Sequence, residues 1–202
     1  MRVRSLLLLT VFRQVRATPN LLTMVRLFAL PFLVIEILDN HWKMAFLLLW
    51  IAGTSDAFDG IAARRLGQAT RLGQYLDPIA DKLLLSTLFM VLTHVGLIPR
   101  YVTVLVFSRD LGILLICTLL YVTNVLRDFP PSWLGKWNTA VQIVVVLTIM
   151  TGQVVHIPGL ERAVWLLLRF IAVLAPMSAA QYAWITMRKV QTQGSEIAAS
   201  AP

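Results

Sequence analysis

The sequence predicts an all-α polytopic membrane protein, with six transmembrane helices after a short N-terminal interfacial helix. Two observations predict it. Of its 202 residues, 58% are hydrophobic and only 14% are charged. A soluble domain would have roughly 45–50% and 25%. In addition, six apolar runs each come close to the roughly 20 residues a helix needs to cross a bilayer. One soluble core cannot bury this much apolar surface, so lipid is the expected solvent.

The first segment, residues 1–19, is basic and amphipathic. Arg2, Arg4, Arg13 and Arg16 flank Ser5–Phe12. A signal peptide would share the basic start, but Arg13 and Arg16 follow the apolar stretch directly and no A-x-A-like cleavage site appears. A helix lying on an anionic surface fits better. The membrane domain is expected over 20–189, with runs near Leu21–Leu38, Trp42–Ala63, Leu76–Val95, Val102–Asn124, Leu134–Thr151 and Val164–Met187. The remainder, 190–202, is small and polar and is expected to be disordered.

Lys and Arg concentrate in the N-terminal segment, after the second run (Arg64, Arg65, Arg71), after the fourth (Arg127, Lys136) and at the C-terminal end (Arg188, Lys189). The alternate loops hold only Lys43, Arg100 and Arg162. This bias predicts both termini on the cytoplasmic side, in the inner or plasma membrane. The net charge of +8 lies mainly at the ends of apolar runs. That suits anionic headgroups, and no basic stripe with interleaved aromatics suggests nucleic acid. The lone Cys117 excludes an intrachain disulfide and reads as a small core residue. Trp42, Trp133 and Trp165 fit an aromatic belt, and His41, His94, His156 and Glu36 read as interfacial polar residues. Arg169 reads as paired within the bundle or snorkelling.

The chemistry is concentrated between Ser55 and Lys82. Asp56, Asp59, Gly60, Ala63 and Arg64 share one helical stripe, and Asp77 and Asp81 share another. A short connection makes the two runs antiparallel neighbours, so the four carboxylates can converge. A carboxylate at the centre of a membrane helix costs on the order of 3 kcal/mol, and four together repel. Arg64 alone cannot compensate them, but two divalent ions can. All-oxygen ligands suit Mg²⁺ or Mn²⁺, and such ions would neutralise a pyrophosphate and stabilise attack on phosphorus. Gly60 and Ala63, with Gly73 at the loop, would let a flat nucleotide approach the backbone. Arg64 can fork onto phosphate oxygens. Taken singly these features have plainer readings. Gly60 and Ala63 could serve close helix packing. Asp77-Pro78 could be a helix start. A pair of Asp could mark an ion or proton path, but Met44–Ala52, in the outer half of the second run, is almost wholly apolar.

Together the residues read D-x-x-D-G-x-x-A-R, eight residues, then G-x-x-x-D-x-x-x-D. This resembles the signature of the CDP-alcohol phosphotransferase family (class-I CDP-alcohol phosphatidyltransferases) at all eight positions. Thr18-Pro19-Asn20-Leu21-Leu22-Thr23 with Arg26 resembles the family's lead-in to the first span. Ser108-Arg109-Asp110 and Gly135 to Gln142 resemble its glycerophospholipid-synthesising branch. The resemblance implies a six-helix homodimer with a cytoplasm-facing polar cavity. It implies phosphatidyl transfer from CDP-diacylglycerol with release of CMP. Asp56, Asp59, Asp77 and Asp81 would surround the metal site, and Asp81 would be the general base. Asp56, Gly60, Ala63, Arg64 and Gly73 would contact the nucleotide.

Arg109, within the fourth run, and Lys136, at the start of the fifth, are the candidate acceptor-binding residues. Arg109 could instead snorkel or pair structurally with an Asp. Glycerol-3-phosphate-using members have cations at matching places, and glycerol-3-phosphate is the first expectation for the acceptor. Many such members carry a further Arg where this chain has Cys117. A phosphodiester such as phosphatidylglycerol would need fewer cations, so cardiolipin synthesis is the alternative, and Leu97-Ile98-Pro99 also fits that branch.

Overall fold

The computed structural model describes residues 18–66, 71–122 and 133–199, with side chains over 24–54, 80–116, 118–120 and 133–191. The interfacial helix expected over 1–19 falls almost wholly outside them. Six α-helices follow one another: α1 (Thr18–Leu38), α2 (Trp42–Leu66), α3 (Arg71–His94), α4 (Arg100–Val122), α5 (Trp133–Val154) and α6 (Leu160–Ala199). No strand occurs among the described residues. Arg100–Leu120, Trp133–Val154 and Leu160–Gln191 are long and apolar enough to cross a membrane, and Trp42–Thr54 is a shorter apolar stretch. α1, α2 and α3 each run partly through residues whose side chains are not described.

The helices group into two compact units: α1 to α3, and α4 to α6 without the last residues of α5. In the first unit α1 packs on both α2 and α3. Its buried residues recur at helical spacing: Leu33 and Ile37 on α1, Ala45, Leu49 and Ala52 on α2, and Leu85, Leu88, Phe89 and Leu92 on α3. Small residues at Ala45, Ala52 and Ala80 let helix backbones approach closely. The turn from α1 to α2 is a Schellman cap. Asn40 takes a left-handed φ of 60°, while His41 N donates to Glu36 O and Asn40 N to Ile37 O. This satisfies carbonyls that the helix end would leave bare. His41 and Glu36 also meet through their side chains at 3.1 Å. Gly96, with φ of 82°, turns the chain after α3.

In the second unit α4 packs along α6. Val102 and Val106 on α4, Val145, Val146, Ile149 and Met150 on α5, and Leu168, Ile171, Leu174 and Ala175 on α6 are buried. Leu134 N, a first-turn donor of α5, is met by Gln181 Oε1 of α6 at 3.3 Å. This ties down a group that has no partner within its own helix.

The distribution of polarity is inverted relative to a soluble protein. Phe28, Val104, Leu114, Leu115, Trp133 and Met187 are exposed, whereas Arg26, Arg109, Asn138, Gln142 and Ser178 are buried. An apolar exterior of this extent suits hydrocarbon. Threonine hydroxyls on the helices bond back to carbonyls four residues earlier, as at Thr54, Thr93, Thr118, Thr148, Thr151 and Thr186. They therefore ask nothing of the lipid. Arg169 lies over the Trp165 ring at 3.5 Å, a cation–π contact one turn away on its own helix.

Two helix ends differ from expectation. α3 begins at Arg71, so Asp77 is not its N-cap and Asp77-Pro78 lies inside the helix. The first turns of α3 are polar, which hides them from hydropathy. Helical prolines also occur at Pro31 and Pro176, and membrane helices tolerate them. At the other end of the chain α6 continues to Ala199, through most of the segment expected to be disordered. Extending an existing helix needs no new nucleus, and Gln191, Gln193, Glu196 and Ala198 propagate one readily.

Candidate active site

The motif residues fall on consecutive helices of the first unit. Asp56, Asp59, Gly60, Ala63 and Arg64 lie in the last turns of α2, and Gly73, Asp77 and Asp81 lie on α3. The backbone is helical through both sets. The spacings of three and four residues therefore keep the register that puts each set on one stripe. Of these residues only Asp81 falls among the described side chains.

Asp81 is half-exposed at 49%, and its Oδ1 accepts a hydrogen bond from Nη1 of Arg26, which is 3% exposed. A buried guanidinium without a counter-charge is strongly destabilising, and Asp81 supplies that charge. In return Arg26 orients the carboxylate and compensates one of the four negative charges that Arg64 alone could not balance. Sequence reasoning grouped Arg26 only with the lead-in to the first span. An Arg within an apolar run needs a partner, and that signal could have prompted a search for one.

The second unit holds the candidate acceptor-binding residues. Arg109 on α4 is 9% exposed. Its Nε donates to Ser178 Oγ of α6 at 2.8 Å, and its Nη1 donates to Asp110 Oδ1 at 2.6 Å. The structural pairing weighed for Arg109 is thus present, with the adjacent Asp110. Lys136 is exposed in the first turn of α5. The structure brings Arg109 and Lys136 to the same cavity of about 550 Å³, together with Thr139 and Tyr182 and the apolar Ile113 and Ile143. Such a volume suits a ligand larger than a few atoms. Cationic donors, hydroxyls and aliphatic carbon in one cavity suit an anion that carries apolar groups. Thr139 belongs to the stretch from Gly135 to Gln142 already singled out in the sequence, whereas Ser178 and Tyr182 were not anticipated, because isolated hydroxyl residues in apolar runs carry no spacing signal.

The donor set of the first unit is chemically suited to a hard divalent cation. It consists of carboxylates alone, on helical stripes, and one member is already oriented by Arg26. Among the described residues no group of three or more His, Cys, Asp or Glu forms a metal site. Asp56, Asp59 and Asp77 lie outside that set.

Known proteins resemble the chain over most of its helices. The family model for CDP-alcohol phosphatidyltransferase matches residues 16–188. A probable phosphatidylglycerophosphate synthase of Mycobacterium tuberculosis is 37% identical over 134 residues, 63% of this chain and 62% of that protein. The CMP-forming cardiolipin synthase of Rattus norvegicus is 34% identical over 154 residues, 67% of this chain and 50% of the relative. The CDP-diacylglycerol–glycerol-3-phosphate 3-phosphatidyltransferase of Bacillus subtilis is 29% identical over 174 residues, 77% of this chain and 89% of the relative. The chain thus spans less than two thirds of the length of the first two relatives. The family match runs from the lead-in before α1 far into α6 and includes every position of the two-helix motif, so the chain belongs to the CDP-alcohol phosphatidyltransferase family.

Proposed function

We propose that this chain moves the phosphatidyl group of CDP-diacylglycerol onto a hydroxyl of a glycerol-type acceptor and releases CMP, as a step of phospholipid biosynthesis. The observation that carries the reading is the eight-position motif in helical register on α2 and α3, in a member of this family. Glycerol-3-phosphate, giving phosphatidylglycerophosphate, is the first acceptor proposed. Two cations at one cavity, Arg109 and Lys136, support it.

In this reading Asp56, Asp59, Asp77 and Asp81 hold two divalent ions, Mg²⁺ or Mn²⁺. Bound there, the ions supply charge neutralisation to the pyrophosphate and to the transferring phosphoryl group. Asp56, Gly60, Ala63, Arg64 and Gly73 receive the nucleotide, with Arg64 forking onto phosphate oxygens. Asp81 takes the proton of the acceptor hydroxyl. The hydroxyl oxygen bonds to the β-phosphorus, and the bond from that phosphorus to the bridging oxygen breaks. CMP leaves with the bridging oxygen. Arg26 is a positioning residue that holds the Asp81 carboxylate in place. The site and both termini face the cytoplasm, and the working unit is a homodimer.

A specific observation favours a second acceptor. With Nε on Ser178 and Nη1 on Asp110, Arg109 is already engaged by two protein acceptors and its Nε–Nη2 edge is not whole for a bidentate grip on a phosphate monoester. Cys117 stands where the family resemblance implies a further Arg in many glycerol-3-phosphate-using members. A phosphodiester makes fewer demands, which favours phosphatidylglycerol and formation of cardiolipin. The test is CMP release by purified protein with CDP-diacylglycerol and Mg²⁺ or Mn²⁺, offering each acceptor separately. Release with glycerol-3-phosphate alone is the expected result, and release with phosphatidylglycerol alone would transfer the assignment to cardiolipin synthesis. EDTA should stop either reaction. Full turnover in its presence would refute the metal reading.

A further inference from the structure

On α6, Ile171, Ala175, Ser178 and Tyr182 are all buried. They recur at helical spacing and form one stripe, on a helix that packs along α4. Ser178 is 0% exposed. For packing alone an alanine would serve there, as it does at Ala175 one turn earlier. A hydroxyl in a membrane helix commonly bonds back to a carbonyl of its own helix, as Thr54, Thr93, Thr118, Thr148, Thr151 and Thr186 do. The Ser178 oxygen has a different use. It accepts a hydrogen bond from Nε of Arg109, 69 residues away on α4, at 2.8 Å.

Arg109 has a second acceptor, since its Nη1 donates to Asp110 Oδ1 at 2.6 Å. A guanidinium is planar and carries five donors. One hydrogen bond leaves the group free to turn about that bond, whereas two bonds on different nitrogens fix its plane. The two acceptors do different things. Asp110 is the next residue on α4 and moves with Arg109, so it supplies counter-charge. Ser178 belongs to another helix, so its oxygen sets where the guanidinium stands relative to α6. Arg109 lines the cavity together with Lys136 of α5 and Tyr182 of α6, whereas Ser178 and Asp110 are not among its lining residues. The guanidinium is thus held by groups outside the cavity, and Nη2 takes part in neither bond.

We propose that Ser178 is a positioning residue for acceptor binding: its hydroxyl oxygen fixes the plane of the Arg109 guanidinium and so presents Nη2 to the acceptor's phosphate beside Lys136. This rests on the acceptor reading above. Ser178 touches neither substrate and takes no proton; it acts only through Arg109.

The test uses full-length protein in mixed micelles, with whichever acceptor supports turnover. Ser178→Ala should raise the acceptor KM about tenfold and leave kcat and the KM for CDP-diacylglycerol within about twofold. Ser178→Thr keeps the hydroxyl oxygen and should stay close to the unsubstituted KM. Ser178→Cys, nearly isosteric but with a weakly accepting sulfur, should raise the acceptor KM as well, and carries the test if the alanine variant does not fold. Arg109→Lys keeps the charge and loses the planar fork. Adding Ser178→Ala to it should raise the acceptor KM no further, because the two residues act as one unit. An acceptor KM that is unchanged or lower in folded Ser178→Ala or Ser178→Cys overturns the proposal. So does a full further rise in the Arg109→Lys background, or a rise in both KM values together with a lower thermal melt, which is the mark of a packing role. CMP release with neither acceptor would be the failure of the transfer reading, and an acceptor KM unmoved by Arg109→Lys the failure of the acceptor site. Either would overturn the proposal too, and each is seen without altering Ser178.

Discussion

In the proposed reading Asp81 serves structure and chemistry together. Its carboxylate compensates Arg26, a guanidinium that α1 could not bury alone. The same ion pair holds one carboxylate oxygen in a defined direction, which a proton acceptor needs. Asp81→Asn keeps the shape and removes the charge. Turnover should be lost while CDP-diacylglycerol still binds. Because Arg26 is left buried without its counter-charge while Asp81 itself is half-exposed, the folded state should lose about 2–3 kcal/mol, between an exposed pair and a fully buried one. Turnover at the unsubstituted rate, measured beside a thermal melt, would remove Asp81 from the base role.

Among the helices, the ends carry information that the spans do not. Asn40 is the left-handed residue of the cap between α1 and α2, and its conformation lets the two helices turn back on each other within three residues. Asn40→Val should lower stability by about 1–2 kcal/mol, because a branched side chain clashes in this backbone region. Asn40→Gly should be close to neutral. A thermal melt showing no difference between the two would mean that the turn relaxes into another geometry. At α3 the helix extends six residues before Asp77, so Gly73, Asp77 and Asp81 share one continuous element. Helical register, and not loop conformation, then sets their mutual spacing.

Over the whole molecule, the apolar exterior and the buried polar residues describe a protein folded for lipid. Residues such as Phe28, at 74% exposure, and Leu114, at 63%, would favour aggregation in water but have no such consequence in hydrocarbon. In isolated membranes the protein should stay in the pellet after washing at high salt and alkaline pH, and should be released only by detergent. Release by the wash alone would contradict a membrane-spanning fold.

The sequence by itself determined the helical class, the run of apolar segments and the chemical motif. These depend on composition and on spacing along one chain, and lipid tolerates few alternatives to a helix. It also marked Arg109 as a cation within an apolar run and Lys136 as a second candidate for an acidic acceptor. What only the tertiary structure decided was which groups meet. Arg26 and Asp81 lie 55 residues apart, and Arg109 and Ser178 lie 69 apart. Such pairs exist only because α1 packs on α3 and α4 on α6. The buried face of each helix was equally hidden, because lipid tails are as apolar as a protein core. Where both faces of a helix are aliphatic, hydrophobic periodicity cannot say which one turns inward. For that reason the burial of Asn138 and Gln142, polar residues in an apolar stretch, is visible only once packing has closed around them.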